Sequence, residues 1–124
     1  MIIQKQNINT LYKNTSKIVK YRYDSTSYNI AKTQKNFVFK SFNYTSDGLN
    51  IDGFLCRPKN VSNKKIPVIL YNRGGTGNFG KLTEEGFPDF YYLAKNGFVV
   101  FATNYRYVGE KGKIDQIGGD DVND

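Results

Sequence analysis

Two short apolar runs, Ile66-Pro-Val-Ile-Leu-Tyr71 and Phe98-Val-Val-Phe-Ala-Thr103, constrain this chain most, because neither alternates apolar with polar residues. A strand that is apolar at successive positions reads as covered on both faces, the pattern of parallel sheets flanked by helices. Between the runs lie a glycine loop, Asn72-Arg-Gly-Gly-Thr-Gly-Asn-Phe-Gly80, and a segment that spaces Phe87, Phe90, Tyr91 and Ala94 along one helical face. Pro88 suits the first turn of that helix and Asn96-Gly97 a left-handed stop. The order strand, glycine loop, helix, strand predicts a βαβ unit with two parallel strands.

Upstream, Phe37-Val-Phe-Lys-Ser-Phe-Asn-Tyr-Thr45 is aromatic and β-rich. Ser46-Asp47-Gly48 is turn chemistry, and Ile51, Gly53 and Leu55 then alternate with Asp52, Phe54 and Cys56, which predicts an antiparallel hairpin. Arg57 to Lys65 reads as a charged, Pro-bearing loop. Residues 1–36 are polar and keep neither a 3.6 nor a 2 period, so a leading arm with one short helix or strand at most is expected. The fold class is therefore α/β, with residues 37–124 forming one unit after the arm at residues 1–36. Beyond Asn104 a polar glycine loop leads to Asp120-Asp-Val-Asn-Asp124, acids gathered as at the start of a helix, and the expectation is of a truncated domain.

With 124 residues there is room for about one domain. No run approaches the roughly 18 apolar residues of a membrane span, and MIIQKQNINT lacks the apolar stretch of a secretory signal, so a cytoplasmic protein without a membrane partner is expected. The net charge of +7 is uneven: residues 1–65 carry ten Lys and two Arg against three acids, a net +9, and the remainder is net −2. Arg, the better reader of phosphates and base edges, occurs in the front half only at Arg22 and Arg57, so no nucleic-acid partner is expected.

Cys56 is the single cysteine, which excludes an internal disulfide and a cysteine-built metal site; it reads as a small apolar strand residue. No histidine is present. A mechanism that needs imidazole as base or ligand cannot be completed by these residues, and neither a metal nor a cofactor is expected.

The glycine loop admits three readings. Gly75, Gly77 and Gly80 spell G-x-G-x-x-G after a strand, the form of a nucleotide-binding βαβ module. Yet the helix does not open within that motif, and the second strand ends in Thr103-Asn104 where a ribose-binding acid is required. The third reading, a loose loop within a non-catalytic basic domain, explains the charge but not the glycines. In the second, Arg73, Gly74 and Gly75 turn backbone N–H donors toward a developing oxyanion without a side chain in the way. In α/β-hydrolases such a loop lies between the third strand and the first helix.

Four pieces, in order, resemble the catalytic domain of prolyl oligopeptidase-type serine peptidases, within the α/β-hydrolase fold. Ser46-Asp47-Gly48-Leu-Asn-Ile51-Asp-Gly53-Phe-Leu-Cys-Arg-Pro58 resembles that family's S-x-D-G-x-x-I-x-G-x-L-x-x-P; Pro67 to Tyr71 resembles the strand before the oxyanion loop; Phe98 to Arg106 resembles the strand ending in N-Y-R; and Gly118 to Asp124 resembles G-x-x-D-V-x-D. The resemblance implies an incomplete hydrolase sheet in which the G-x-S-x-G nucleophile, the acid and the histidine lie beyond Asp124, so that no catalytic triad residue is present and the chain alone is inactive. It implies a peptide or small acyl substrate, with Arg106 as a candidate substrate contact competing with an ion pair to Asp120 or Asp121. The loop departs from the family, which commonly places His or Tyr where this chain has Asn72-Arg73. Ser46, Thr76 and Thr83 read as structural hydroxyls, Asn104 as a strand-end cap, Asp47 as a turn acid, and Glu84-Glu85 as charges at a helix start.

Overall fold

A computed structural model describes residues 2–5, 8–61, 65–116 and 118–124. Five strands form one sheet: β1 (Ile2–Lys5), β2 (Phe37–Ser46), β3 (Leu49–Pro58), β4 (Val68–Asn72) and β5 (Val99–Thr103), in the order β1-β2-β3-β5-β4. β1, β2, β3 and β5 pair antiparallel with their neighbours, and β4 runs parallel to β5. Among the described residues the α-helices are α1 (Lys17–Arg22), α2 (Ser25–Lys32) and α3 (Phe87–Ala94).

The hairpin forms where the turn residues demand it. Ser46 pairs with Leu49, and Asp47 and Gly48 take positive φ of 48° and 77°, the two-residue geometry whose twist matches that of the strands. Phe42 stands opposite Gly53, and a Cβ there would come within 2.2 Å of its ring. The glycine thus lets an aromatic side chain lie across the neighbouring strand.

β4, the glycine loop, α3 and β5 give the parallel βαβ unit. Pro88 occupies the first turn of α3, and Gly97 has φ 94° just past its end. α3 lays Phe87, Phe90, Tyr91 and Ala94 onto Phe39, Phe54, Cys56, Val100 and Ala102, with Ala31 of α2 completing the cluster. Phe39 meets Phe87 at 4.7 Å between ring centroids, and Tyr71 meets Phe90 edge-on at 5.2 Å. Such rings bury large apolar area and gain about 0.5–1.5 kcal/mol per well-placed pair beyond it.

Two expectations change. The arm forms a strand and two helices, not one short element. α1 and α2 are held by side chains from far along the chain: Tyr23 stacks on Tyr92 at 5.6 Å, Arg22 pairs with Asp89 at 2.8 Å, and the Ser16 N–H donates to Glu85 at 3.0 Å. Tyr28 is fully buried, while Ser16 and Asp24 cap the helix starts. Glu84 accepts from the Thr10 hydroxyl, so the Glu84-Glu85 pair docks the arm. The second change is at β4, read as covered on both faces. Ile69 and Tyr71 point toward α3, but Val68 and Leu70 point the other way and are 58% and 71% exposed, because a single crossover helix covers a single face. The charged loop expected over 57–65 is described only through 61 and at 65; residues 62–64, like Ile117 of the later glycine loop, lie outside the described residues.

Candidate functional site

The glycine loop leaves the carboxyl end of β4 and folds on itself. Gly75, Gly77 and Gly80 have φ of 91°, 53° and 75°. A Cβ at Gly75 would come within 2.5 Å of the Phe79 carbonyl oxygen, and one at Gly80 within 2.0 Å of the Gly74 carbonyl oxygen. Those two glycines are therefore required by the loop's own closure. At Gly74 a Cβ would meet nothing within 4 Å.

Arg73 fixes the loop from beneath. Its guanidinium is buried, with Nη2 donating to Asp115 Oδ2 at 2.7 Å and Nη1 to the Phe79 carbonyl at 2.8 Å. The Tyr105 ring lies 4.9 Å from Cζ, and the Tyr105 hydroxyl donates to the Arg73 carbonyl. Asp115 Oδ1 in turn accepts from the Gly77 N–H at 2.7 Å. One carboxylate thus holds the first side chain and a middle amide of the loop together. Sequence reasoning missed Asp115, which sits in a polar glycine stretch with no periodic signal.

Gly74 and Gly75 are exposed, and among the described residues no acceptor takes either N–H. Arg73 itself lies inward, its Nη1 and Nη2 committed and its Nε buried without an acceptor. The three oxyanion-loop candidates therefore divide into a buried side-chain anchor and two glycines whose donors remain open.

The far end of the loop is fastened to β5. Asn104 is buried; its Oδ1 accepts from Leu82 N–H at 2.9 Å, and its Nδ2 donates to Leu82 O at 3.1 Å. Arg106, two residues on, donates from its backbone N–H and Nε to Asp124 and from Nη2 to both Asp124 and Asp47, each of the Nη2 contacts at 2.8 Å. An ion pair was expected, but with Asp120 or Asp121. The observed partners tie β5 to the hairpin tip and to a 3-10 turn at Asp120–Asn123. Hydrogen bonds from Arg106 and then Asn123 hold the Asp47 carboxyl below its ordinary range, and Asp124 above all holds the Arg106 guanidinium further toward its charged form.

A cavity of about 620 Å³ opens at the carboxyl ends of β4 and β5, with Arg73, Gly75, Phe101, Thr103, Asp121 and Asp124 among its walls. A second, of about 320 Å³, lies between α1 and the same loop. Ligands of open α/β sheets settle at this end of the strands, where neighbouring connections diverge.

The chemistry within these residues is limited. No imidazole exists, and burial pushes the Cys56 thiol up to about 12, leaving it protonated. The Ser46 hydroxyl donates to the Asn123 carbonyl at 3.1 Å. Among the described residues no group of His, Cys, Asp or Glu side chains is arranged to hold a metal ion, and no helix is long and apolar enough to cross a membrane. What the site offers is open backbone donors, a firmly held loop and a cavity beside it.

No family model matches the chain, and no curated protein matches it. Among solved structures the chain is similar to a cold-adapted esterase from an Arctic intertidal metagenomic library, determined in a PEG-bound complex, at 20% sequence identity and a TM-score of 0.47. That similarity covers 63% of this chain and 32% of the esterase, so the chain spans about a third of that protein's length.

Proposed function

We propose that residues 37–124 are the front part of an α/β-hydrolase-type domain of the prolyl oligopeptidase kind, which cleaves a peptide, acyl-amino or ester bond through a serine acyl-enzyme. The observation that carries this reading is the pair of exposed glycines, Gly74 and Gly75, whose N–H groups lack acceptors at the carboxyl end of β4. They lie in a loop that the Arg73–Asp115 pair anchors from beneath. Donors fixed before reaction spend no reorganisation energy when the carbonyl oxygen becomes negative, and losing one such donor costs about 10²–10³ in kcat. The serine nucleophile, its histidine base and the orienting acid come from polypeptide other than these residues. Attack by the serine oxygen on the carbonyl carbon sends its proton to the histidine and the carbonyl π electrons to the oxygen facing Gly74 and Gly75. Collapse of that intermediate expels the amine or alcohol, which takes the proton from the histidine. A peptide or small acyl compound as substrate, and a cytoplasmic setting, belong to the same proposal. The nucleotide reading of Gly75, Gly77 and Gly80 is less favoured, since Gly75 and Gly80 are spent on loop closure and α3 begins only at Phe87, beyond the motif.

The test starts from the downstream reading frame. It should encode G-x-S-x-G, and the extended protein should react with a fluorophosphonate while the 124-residue chain does not. In the extended protein Gly74→Pro, which deletes one donor, should lower kcat about 10²-fold with KM little changed and the melt preserved. A frame without the motif, or full kcat in a folded Gly74→Pro variant, removes the assignment.

A further inference from the structure

The cavity of about 320 Å³ is a cleft between α1 and the glycine loop, on the α3 side of the sheet and so opposite the open Val68 and Leu70 face. Its walls bring Ile18 and Val19 of the arm to Gly74 and Gly75, with Phe79 and Leu82 alongside. Two of these side chains stand in water: Ile18 is 53% and Phe79 74% exposed. Phe79 folds back onto its own loop, its Cδ1 at 2.5 Å from where a Cβ on Gly75 would stand, so an aromatic ring lies directly beside a glycine whose N–H is open. The charged walls are committed elsewhere. Arg22 pairs with Asp89 at 2.8 Å, Glu85 accepts the Ser16 N–H at 3.0 Å, and the Lys81 ammonium lies out beside Gly109. The same Arg22 and Glu85 contacts, with Tyr23 stacked on Tyr92 at 5.6 Å, fix α1 as a wall.

We infer that this cleft takes an uncharged apolar group of the substrate, next to the reacting carbonyl, and that Ile18 and Phe79 set how large that group is. Apolar side chains held in water gain when another apolar group displaces that water. A charged group would give up its own hydration for walls whose partners are already taken. Small-molecule pockets run from about 300 to 1,000 Å³ and are lined mainly by apolar side chains, with a few polar groups that fix orientation. This cleft is at the small end of that range, which suits a single ring or a short branched chain, and the backbone of Gly74 and Gly75 is its polar end. Residues 1–36 thereby form part of the substrate site and not only a support for it. Binding of an apolar group stands on the cleft alone, whereas its place in catalysis rests on the hydrolase reading.

Titration of the ¹⁵N-labelled 124-residue chain tests the cleft without catalysis. 3-Phenylpropanamide should shift the amides of Val19, Gly75, Phe79 and Leu82 and bind about tenfold more tightly than propanamide, with the charged 3-phenylpropionate weaker than the amide of the same shape. Ile18→Trp fills the cleft from an exposed position, so it should abolish 3-phenylpropanamide binding at an unchanged melting temperature. Phe79→Ala should weaken binding about tenfold, and Ile30→Ala, at an exposed residue of α2 outside the cleft, should leave it unchanged. Should Ile18→Trp fail to fold, Phe79→Ala and the wild-type ligand comparison still decide. In the extended protein, one ester series that lengthens the acyl group and one that lengthens the alcohol tell which half of the substrate enters. Ile18→Trp should lower kcat/KM for the longer members of one series and spare the shortest member of both. Equal binding of 3-phenylpropanamide and propanamide, shifts confined to other surfaces, undiminished binding in the cleft variants, or no length dependence in either series of an active extended protein would overturn the inference. An extended protein that hydrolyses no ester and takes no fluorophosphonate would instead strike the hydrolase reading and leave the binding result standing.

Discussion

Arg73 and Asp115 meet at 2.7 Å with their side chains essentially sealed from solvent, 42 residues apart in sequence. The pair is where the glycine loop, the end of β4 and the polar loop after β5 become one structure. Removing one partner strands the other as a buried charge, whereas replacing both with apolar groups need not.

Asp115→Ala should therefore destabilise the chain by about 3–5 kcal/mol in urea unfolding, and the double change Arg73→Met with Asp115→Leu should restore much of the loss. If the single variant unfolds at the wild-type midpoint, the loop is not held by this contact.

The glycines of the loop should separate by position. Gly80→Ala drives a Cβ to 2.0 Å from the Gly74 carbonyl oxygen at φ 75°, and Gly75→Ala meets Phe79 at 2.5 Å. Both should cost more than about 1 kcal/mol. Gly74→Ala points its methyl into open space and should stay within about 0.5 kcal/mol of wild type. Equal effects at all three positions would mean that the loop does not close as described.

Arg106 should tune acid stability. The Asp47 carboxyl is depressed by its hydrogen bond to Arg106, so its contribution is present above the unfolded value of about 3.9 and is lost as pH falls through the lower folded value. Arg106→Gln should flatten the part of the acid-unfolding curve below about pH 4. It should also speed amide exchange in residues 118–124, which Asp124 ties to β5. An unchanged acid limb would remove this coupling.

Cys56 gives the opposite sign at high pH. Its folded value is raised to about 12 by burial, so the unfolded chain ionises first. The stability it supports is complete below the unfolded thiol value of about 8.5 and declines as pH rises toward 12. Cys56→Ala should lessen that alkaline decline, and the native thiol should resist a disulfide reagent until urea exposes it. Rapid native-state labelling would contradict its burial.

Parts of this arrangement were legible in the amino acids. Asp47-Gly48 specified the hairpin because two consecutive positive φ values are tolerated there and at few other pairs. Pro88 and Gly97 marked the ends of α3 for the same local reason, and the run Phe98 to Thr103 announced β5. α1 and α2 were not legible, since six and eight residues carry too little period and depend on Tyr92, Asp89 and Glu85, more than sixty residues away. Likewise the apolar run of β4 announced a strand, but not that its Val68 and Leu70 side stands open.

What the sequence determined by itself was local: turn chemistry, strand and helix runs, and the absence of histidine that denies these residues an imidazole base. What only the tertiary structure decided was the pairing of charges and donors. Arg73 chose Asp115, Arg106 chose Asp124 and Asp47, and Asp121, Gly74 and Gly75 were left over. Backbone preference acts over a few neighbouring residues, whereas a buried charge or an open N–H is satisfied by whichever group the packed chain brings within about 3 Å of it.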